Sequence, residues 1–300
     1  MYIFDDNEIK SFANGFIKAK DKIYEIKPDI IVAPMLGAVP FIDMLNAVDC
    51  NFDNSDVYYV PASGVLDNVK PIISGTIANI LHEQAPLETI LNEPFKVLSI
   101  DEVVGGGSAT RVYEGIETGR RAHTNHVASQ IIEKARSGDF NTDTYFGLTV
   151  NSNTAKEHLP ILHRKIRRKL DDKFECKSIG IEHGKYAKAN KQKGRSYNEL
   201  VYAGKIIPIE VERILTMDDP SFCPVQYMQK AGSNTYYPTI LPSFNVTEAY
   251  LSLLSKVAAT AGAPPNVSPK NLTRILDHQK YVPKEYHAGC TSQQANLKGF

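Results

Sequence analysis

Two hydrophobic periodicities alternate along the first two-thirds of the chain. Apolar residues recur at helical spacing between Asp6 and Ile26, with Asp5 and Asp6 available as caps. The run at 30–33 is apolar at every position, which is typical of a strand covered on both faces. Further strands are predicted at 57–60, 95–100, 145–150 and 178–181, and further helices at 40–48, 110–135 and 155–170, the second with a break near Gly119. This alternation predicts an α/β fold with a doubly wound parallel sheet.

The pattern changes after Gly184. Residues 201–215 read as a hairpin around Gly204, and 218–242 is rich in Pro, Gly, Tyr and Ser, which predicts irregular structure. Two helices are predicted at 246–261 and 269–279. We therefore expect a core domain with an N-terminal helix at 1–185, and a hood-like or interaction region of hairpin, irregular segment and helices at 186–300.

Composition narrows the class of protein. The 300 residues are 42% hydrophobic and 23% charged, typical of a globular protein. No apolar run reaches the roughly 18 residues of a membrane span, and the N-terminus has no signal-peptide pattern, so we predict a cytoplasmic protein without membrane contact. The four cysteines are scattered without a C-x-x-C pair, which favours reduced thiols and predicts no protein metal site.

The strongest chemical signal lies between Val97 and Thr110. A buried strand ends in Asp101 and Glu102, and three glycines then lead into a helix that begins near Ser108. In an open α/β sheet, the ligand crevice lies at the carboxyl ends of the strands. Glycines and a helix N-terminus present backbone N–H groups to an anion, while carboxylates accept hydrogen bonds from vicinal hydroxyls. This combination favours a sugar phosphate as ligand.

This segment resembles the phosphoribosyl pyrophosphate signature of type I phosphoribosyltransferases, and its form is most similar to that of the orotate enzymes. The resemblance implies that Asp101 and Glu102 hold the ribose hydroxyls. It further implies a loop around the 5′-phosphate, formed by Gly105, Gly106, Gly107, Ser108, Ala109 and Thr110. The implied activity is transfer of phosphoribose to a nitrogen nucleophile such as a nucleobase, with substrate-bound Mg²⁺ as cofactor.

A second segment, residues 28–40, resembles the first strand of that family and the short loop that meets pyrophosphate. The resemblance places Gly37 and Ala38 near the pyrophosphate, whereas Met35 and Leu36 stand where an Arg or Lys is common. The resemblance covers residues 25–185. Within it, the aperiodic stretch 62–74 matches the mobile cover of the family. Its one cation, Lys70, is a candidate to neutralise departing pyrophosphate, with a solvated surface lysine as the alternative.

Basic residues are concentrated between Arg164 and Arg195. This segment contains twelve Lys or Arg and four Asp or Glu, so its net charge is +8 in a chain whose total is zero. Such a cluster is suited to bind the phosphates of a substrate or of a nucleic acid. The alternative is that these residues are a solvated helix face followed by a basic loop. His123 and His126 lie three apart on a predicted helix, but no further ligand stands at metal-site spacing, which favours packing or surface histidines.

Three classes of function follow from these signals. The first is a phosphoribosyltransferase. The second is a non-catalytic sensor of phosphoribosyl pyrophosphate or a nucleotide, favoured by Gly105 and Gly106 where the family has a hydroxyl donor and by the missing cation at Met35 and Leu36. The third is a subunit of a larger assembly, such as an effector or toxin-like enzyme acting on nucleotides, with 164–195 and the C-terminal region as docking surfaces. Separate partner expectations are a homo-oligomer and contact of 164–195 with a polyanion or nucleic acid.

Overall fold

A computed structural model describes residues 4–35, 38–62, 69–103, 106–148, 159–184, 194–212, 225–229, 236–240, 248–264 and 277–283. Its α-helices are α1 (Asp6–Ile26), α2 (Val39–Val48), α3 (Val69–Gln84), α4 (Leu87–Asn92), α5 (Gly107–Ser137), α6 (Thr142–Phe146), α7 (Leu159–Asp171), α8 (Arg195–Tyr202) and α9 (Glu248–Thr260). Its strands are β1 (Ile30–Pro34), β2 (Val57–Val60), β3 (Phe95–Val103), β4 (Phe174–His183), β5 (Ile206–Val211), β6 (Val225–Gln229) and β7 (Tyr236–Ile240).

The central sheet has five parallel strands in the order β2-β1-β3-β4-β5. The chain moves from β1 to β2 in one direction across the sheet, and all later strands are added in the other direction. Since parallel crossovers are right-handed, this reversal places helices on both faces of the sheet. The predicted α/β class and parallel sheet are therefore confirmed. The reversal also creates a topological switch point between β1 and β3.

Each strand contributes alternate residues to two cores. On β1, Ile31 and Ala33 pack with α1, α2 and α9, whereas Ile30 and Val32 pack with α3, α4, α5 and α7 on the opposite face. An unbroken apolar run is thus what a strand between two helical layers requires.

At the start of α1, Asp5 accepts hydrogen bonds from helix N–H groups and forms a capping box with Glu8.

Helix α5 does not break at Gly119 as predicted. It continues for 31 residues, and both Gly115 and Gly119 face α3. A methyl group at Gly115 would lie 2.3 Å from Cγ2 of Ile73, and one at Gly119 would lie 2.7 Å from the carbonyl oxygen of Ser74. These glycines therefore allow close approach of two helices.

The strand predicted at 145–150 is wrong for the residues that the structure describes. Residues 142–146 form α6, because the side chain of Asn141 accepts hydrogen bonds from the N–H groups of Asp143 and Thr144. Gly147 then ends the helix in the left-handed conformation, with φ +59°. The apolar spacing of Tyr145 to Val150 is overridden by this pair of local caps.

The hairpin predicted at 201–215 is also wrong. Residues 195–202 form α8, and the turn at Gly204, with φ +67°, leads into β5. β5 pairs in parallel with β4, so the segment extends the central sheet. Residues 218–242, predicted to be irregular, contain the antiparallel pair of β6 and β7. β5 and α9 lie beyond residue 185 yet belong to the core of the sheet.

The predicted helix at 246–261 is confirmed as α9, which is held to α2 by a buried hydrogen bond from the Tyr250 hydroxyl to Oδ2 of Asp43, 2.7 Å long. Most of the helix predicted at 269–279 lies outside the described residues. Within the described ranges, none of the helices combines the length and the apolar character that crossing a bilayer demands.

A C-terminal segment, residues 277–283, covers the edge of the sheet at β2. The backbone N–H of Tyr59 donates to Nδ1 of His278 at 2.9 Å, and the imidazole stacks on Tyr58 at 5.3 Å between ring centroids. Nδ2 of Asn79 donates to the carbonyl of Tyr281, whose hydroxyl donates to Glu83. A side chain therefore supplies the acceptor that a further strand would supply at this edge.

We expect His278→Ala to lower the free energy of unfolding by about 2–3 kcal/mol, because it removes a buried ring and leaves the Tyr59 N–H without this acceptor. His126→Ala, at an exposed position, is the matched control and should change stability by less than about 0.5 kcal/mol. Urea denaturation measures both. Equal midpoints for the two variants would contradict this account of the edge.

Candidate functional site

The two segments that resemble phosphoribosyltransferases end at the same point of the sheet. β1 and β3 are neighbours in parallel register, with Ile30 opposite Val97 and Val32 opposite Ser99. Their carboxyl ends therefore lie side by side at the switch point, where ligands of doubly wound sheets bind. Ala38 is fully buried in the core beside the loop after β1, while Gly37 lies outside the described residues.

The acid pair lies at the carboxyl end of β3, as predicted, but its two side chains point to opposite faces. By strand alternation, Asp101 shares the face of Val97, and Glu102 shares the face of Ile100. Asp101 is buried, with 3% exposure, whereas Glu102 is partly exposed. Oδ1 of Asp101 accepts a hydrogen bond from the N–H of Glu102 at 2.8 Å. Asp101 thereby fixes the backbone from which Glu102 projects.

Burial raises the pKa of Asp101 to about 7, because the charged carboxylate loses its hydration. The Ser108 hydroxyl, the Glu102 N–H and the positive charge of Arg111 act in the opposite direction. Oδ2 of Asp101 has no hydrogen-bond partner among the described residues, nor has the buried Nε of Arg111. The carboxyl group therefore changes charge close to neutral pH.

Gly106 and Gly107 stand at the predicted strand-to-helix bend, whereas Val104 and Gly105 lie outside the described residues. Gly106 is in the left-handed conformation, with φ +78°, and α5 begins at Gly107. The carbonyl of Gly106 accepts hydrogen bonds from the N–H and the hydroxyl of Thr110, at 3.0 and 2.8 Å. The Thr110 hydroxyl is thus directed at the backbone. Helix geometry leaves the N–H groups of Gly107, Ser108 and Ala109 without intrahelical acceptors, an arrangement that suits an anion.

Two functional candidates near this turn, Glu182 and Tyr197, were missed from the sequence. Glu182 stands near the end of β4 with 3% exposure, and its Oε1 accepts a hydrogen bond of 2.5 Å from the hydroxyl of Tyr197, a residue of α8. Burial is the largest of the effects that raise the pKa of Tyr197, followed by its hydrogen bond to Glu182. The rule that polar residues at strand ends line the crevice could have identified Glu182. No sequence signal identifies Tyr197.

Lys70 lies in a different setting from the one predicted. The stretch 62–74 is helical from Val69 onward, so Lys70 belongs to the first turn of α3, while residues 63–68 lie outside the described part. Its Nζ pairs with Oε2 of Glu114 at 3.1 Å, and both side chains are largely exposed. Lys70 and Thr110 both line a groove of about 880 Å³ between α3, α5 and α8. Asp101 does not line it.

The histidines of α5 take part in packing. His123 is buried; its Nε2 donates to the carbonyl of Ala85 at 3.0 Å, and its Nδ1 lies 2.9 Å from Nδ1 of His82. Burial lowers the pKa of His123 to about 4, which keeps the ring neutral at pH 7. No group of three or more possible metal ligands occurs among the residues that the structure describes.

The basic segment is only partly described, since 185–193 lies outside. On α7, Ile166 and Leu170 are buried, and Arg164, Lys165 and Arg168 are exposed. None of these three cations has an ion-pair partner in the described part of the chain, whereas Arg167 lies 3.7 Å from Asp171.

Comparison of the chain with protein-family models, with curated proteins and with solved structures finds no match. The resemblance to phosphoribosyltransferases therefore rests on the residues around β1 and β3, and the roles assigned to them stay predictions.

We expect the contribution of Asp101 to the free energy of unfolding to fall as pH rises from about 4 to about 7, because the unfolded chain loses the Asp101 proton at lower pH than the folded chain does. Asp101→Asn removes this contribution. Relative to the wild type, the variant should gain up to about 4 kcal/mol across this range. Urea denaturation at pH 4 to 8 measures the difference, with exposed Asp21→Asn as control. A constant difference between Asp101→Asn and the wild type would show that Asp101 titrates normally.

Proposed function

We propose that this chain binds phosphoribosyl pyrophosphate at the switch point between β1 and β3 and transfers its phosphoribosyl group to a nitrogen nucleophile such as a nucleobase. The observation that supports the proposal is the order of three structural features along β3 and α5. An acid pair, a left-handed glycine and the N-terminus of a long helix follow one another at the switch point.

The 5′-phosphate would bind at the first turn of α5. The N–H groups of Gly107, Ser108 and Ala109 point out of the helix toward its N-terminal end, and the helix dipole adds positive potential there. The hydroxyl of Ser108 is a further donor only when it turns away from Asp101, whose carboxylate it otherwise contacts. Such contacts are charge-assisted, since the phosphate is anionic, and they fix one end of the substrate.

The ribose hydroxyls would be held by the acid pair. Glu102 is the partly exposed member, and in this role it accepts hydrogen bonds from the hydroxyls. Asp101 holds the backbone N–H of Glu102 and offers an unpaired Oδ2. Both therefore act as oxygen acceptors, one toward the sugar and one mainly toward the backbone that carries its neighbour.

The pyrophosphate would lie near Gly37 and Ala38. Glu102, whose carboxylate offers hard oxygen donors, would be the residue that holds substrate-bound Mg²⁺, and the ion would supply positive charge that stabilises pyrophosphate as a leaving group. The residues of this chain would orient the ribose while its C1′–oxygen bond breaks and the bond to nitrogen forms. The Glu102 carboxylate would also stabilise the positive charge that develops on the ribose.

Binding without transfer is the second candidate. Met35 is buried in the core with 2% exposure, at the position where the resembling family commonly carries a cation for pyrophosphate. Lys70, the other cation that the sequence suggests for pyrophosphate, is paired with Glu114 on the exposed surface of α3 and α5. A site without a local cation would grip pyrophosphate less tightly, which favours a sensor.

We expect Asp101→Asn combined with Glu102→Gln to weaken binding of phosphoribosyl pyrophosphate at least about 100-fold, because charged acceptors are each worth about 1.5–3 kcal/mol. Calorimetry with and without Mg²⁺ measures the affinity, and circular dichroism checks the fold. Asp21→Asn combined with Glu25→Gln on α1 removes the same charges at exposed positions and is the control.

Unchanged affinity in the Asp101 and Glu102 variant would refute the ribose assignment. Release of pyrophosphate with a panel of nucleobases then distinguishes the two candidates. Turnover with any base supports the transferase, and tight binding without turnover supports the sensor.

A polyanion partner is a separate proposal that rests on α7. Arg164 and Arg168 are one helical turn apart on the face opposite Ile166, and Lys165 lies beside them. Exposed cations that form no ion pair with a neighbouring acid are suited to contact the phosphates of a nucleic acid. We propose that this face contacts RNA.

Replacing Arg164, Lys165 and Arg168 with Gln should weaken RNA binding and flatten its salt dependence. Each lost phosphate contact on a single strand reduces the slope of log K against log salt by about 0.7. Fluorescence anisotropy with a single-stranded RNA at 50–200 mM salt measures this slope. Replacement of the exposed Lys10, Lys18 and Lys256 with Gln is the control. Equal slopes for both triple variants would exclude α7 as the contact.

A further inference from the structure

We propose that Tyr197 is a positioning residue that holds the glycine turn before α5 in its anion-binding conformation. The inference rests on the proposed function, and it assigns a role to α8, which none of the sequence signals connected with the site.

The first observation is the contact between Tyr197 and Gly106. A methyl group on Gly106 would lie 2.6 Å from Cγ, 2.8 Å from Cβ and 2.9 Å from Cδ2 of Tyr197. The aromatic ring therefore occupies the space beside the left-handed glycine. The φ of +78° at this position and the place of the ring depend on each other.

The second observation is the anchor at the other end of the side chain. The hydroxyl of Tyr197 donates to Oε1 of Glu182 at 2.5 Å, and both residues are buried. Gly180 provides the room, because a methyl group there would lie 3.0 Å from that hydroxyl and 2.8 Å from Cγ2 of Val103. Gly180 is also the register partner of Asp101. The side chain thus reaches from the turn to the strand beside the acid pair.

The third observation is the apolar enclosure of the ring. Tyr197 is 1% exposed and packs in a small core with Val103, Ala109 and Ile206. These residues come from the end of β3, the first turn of α5 and the start of β5. One side chain of α8 therefore packs against β3, α5 and β5.

Rigid placement of the turn has a direct consequence for affinity. A turn that already holds its N–H groups in the bound geometry does not lose conformational entropy when phosphate binds. The hydroxyl also engages Glu182, a carboxylate that would otherwise be attracted to the N-terminus of α5, where the phosphate is to bind. Tyr197 thus fixes the cradle and keeps a competing anion hydrogen-bonded away from it.

The experiment compares Tyr197→Phe and Tyr197→Leu with Tyr202→Phe and Tyr202→Leu on the same helix, where Tyr202 is 96% exposed. Calorimetry gives the affinities for ribose 5-phosphate and for magnesium pyrophosphate. We expect Tyr197→Leu to weaken ribose 5-phosphate about tenfold and Tyr197→Phe about threefold, since a tenfold change needs only 1.4 kcal/mol of lost preorganisation. The Tyr202 variants should stay within about twofold, and pyrophosphate should bind all variants equally.

A purely structural role would lower the affinity for both ligands together, so the comparison of ligands isolates positioning. Amide hydrogen exchange of Thr110, whose N–H donates to the carbonyl of Gly106 at 3.0 Å, gives a second readout without ligand, and it should be faster in both Tyr197 variants. Glu182→Gln retains an acceptor for the phenol and should preserve slow exchange and affinity for ribose 5-phosphate. If Tyr197→Leu fails to fold, Tyr197→Phe and Glu182→Gln decide the matter.

The outcomes separate this inference from the function on which it rests. A wild type that binds neither ribose 5-phosphate nor phosphoribosyl pyrophosphate refutes the proposed function, and the exchange of the Thr110 amide still tests whether Tyr197 holds the turn. A wild type that binds ribose 5-phosphate, together with a Tyr197→Phe variant of equal affinity and equal exchange, overturns the role of Tyr197. Equal weakening of pyrophosphate in the variants overturns it as well.

Discussion

The parallel pairing of β1 with β3 is the constraint on which the site depends. The two strands are adjacent in space and separated by β2 in the chain, so their connections leave the sheet in opposite directions. In open α/β sheets, the gap between two such connections at the carboxyl edge is where ligands bind. The carboxyl end of β1 and the acid pair of β3 lie side by side at this edge because of the pairing. A different strand order would separate the two segments, and their chemistry would lose its common location.

The carboxyl end of β3 also shows how buried polar groups reduce stability. Asp101 is buried with an unpaired Oδ2, and its raised pKa reflects the loss of hydration. Nearby, Tyr197 and Glu182 place another polar pair in the interior. Such groups reduce stability relative to an apolar core unless each is fully hydrogen-bonded. Buried polar pairs also occur away from this edge, as between Asp43 and Tyr250 and at His278 beside β2, and there the polar atoms are hydrogen-bonded.

The sequence predicted the layers of the fold because the governing signals are local. Apolar runs such as 30–33 are sufficient to identify buried strands, and they were placed correctly. Errors arose where one short-range signal competed with another. Asn141 caps a helix within an apolar stretch, and the turn at Gly204 joins a helix to a parallel strand, although the same residues suit a hairpin. Gly119 is a third case, because what requires a glycine there is the close approach of α3, which the local sequence does not show. The position of Asp101 and Glu102 followed from the strand, but the partners of Asp101 and the presence of Tyr197 depend on packing between distant elements.

The cover of β2 by His278 has a consequence for synthesis of the protein. The acceptor for the Tyr59 N–H lies 219 residues further along the chain. During translation, β1, β2 and β3 emerge long before that acceptor, and the outer edge of β2 stays open to pairing with other strands in the meantime. The nascent chain therefore has, for a prolonged period, an edge strand whose Tyr59 N–H is not yet bonded to His278. Ribosome-associated chaperones would have their greatest effect on this interval, and premature termination before residue 278 would make it permanent.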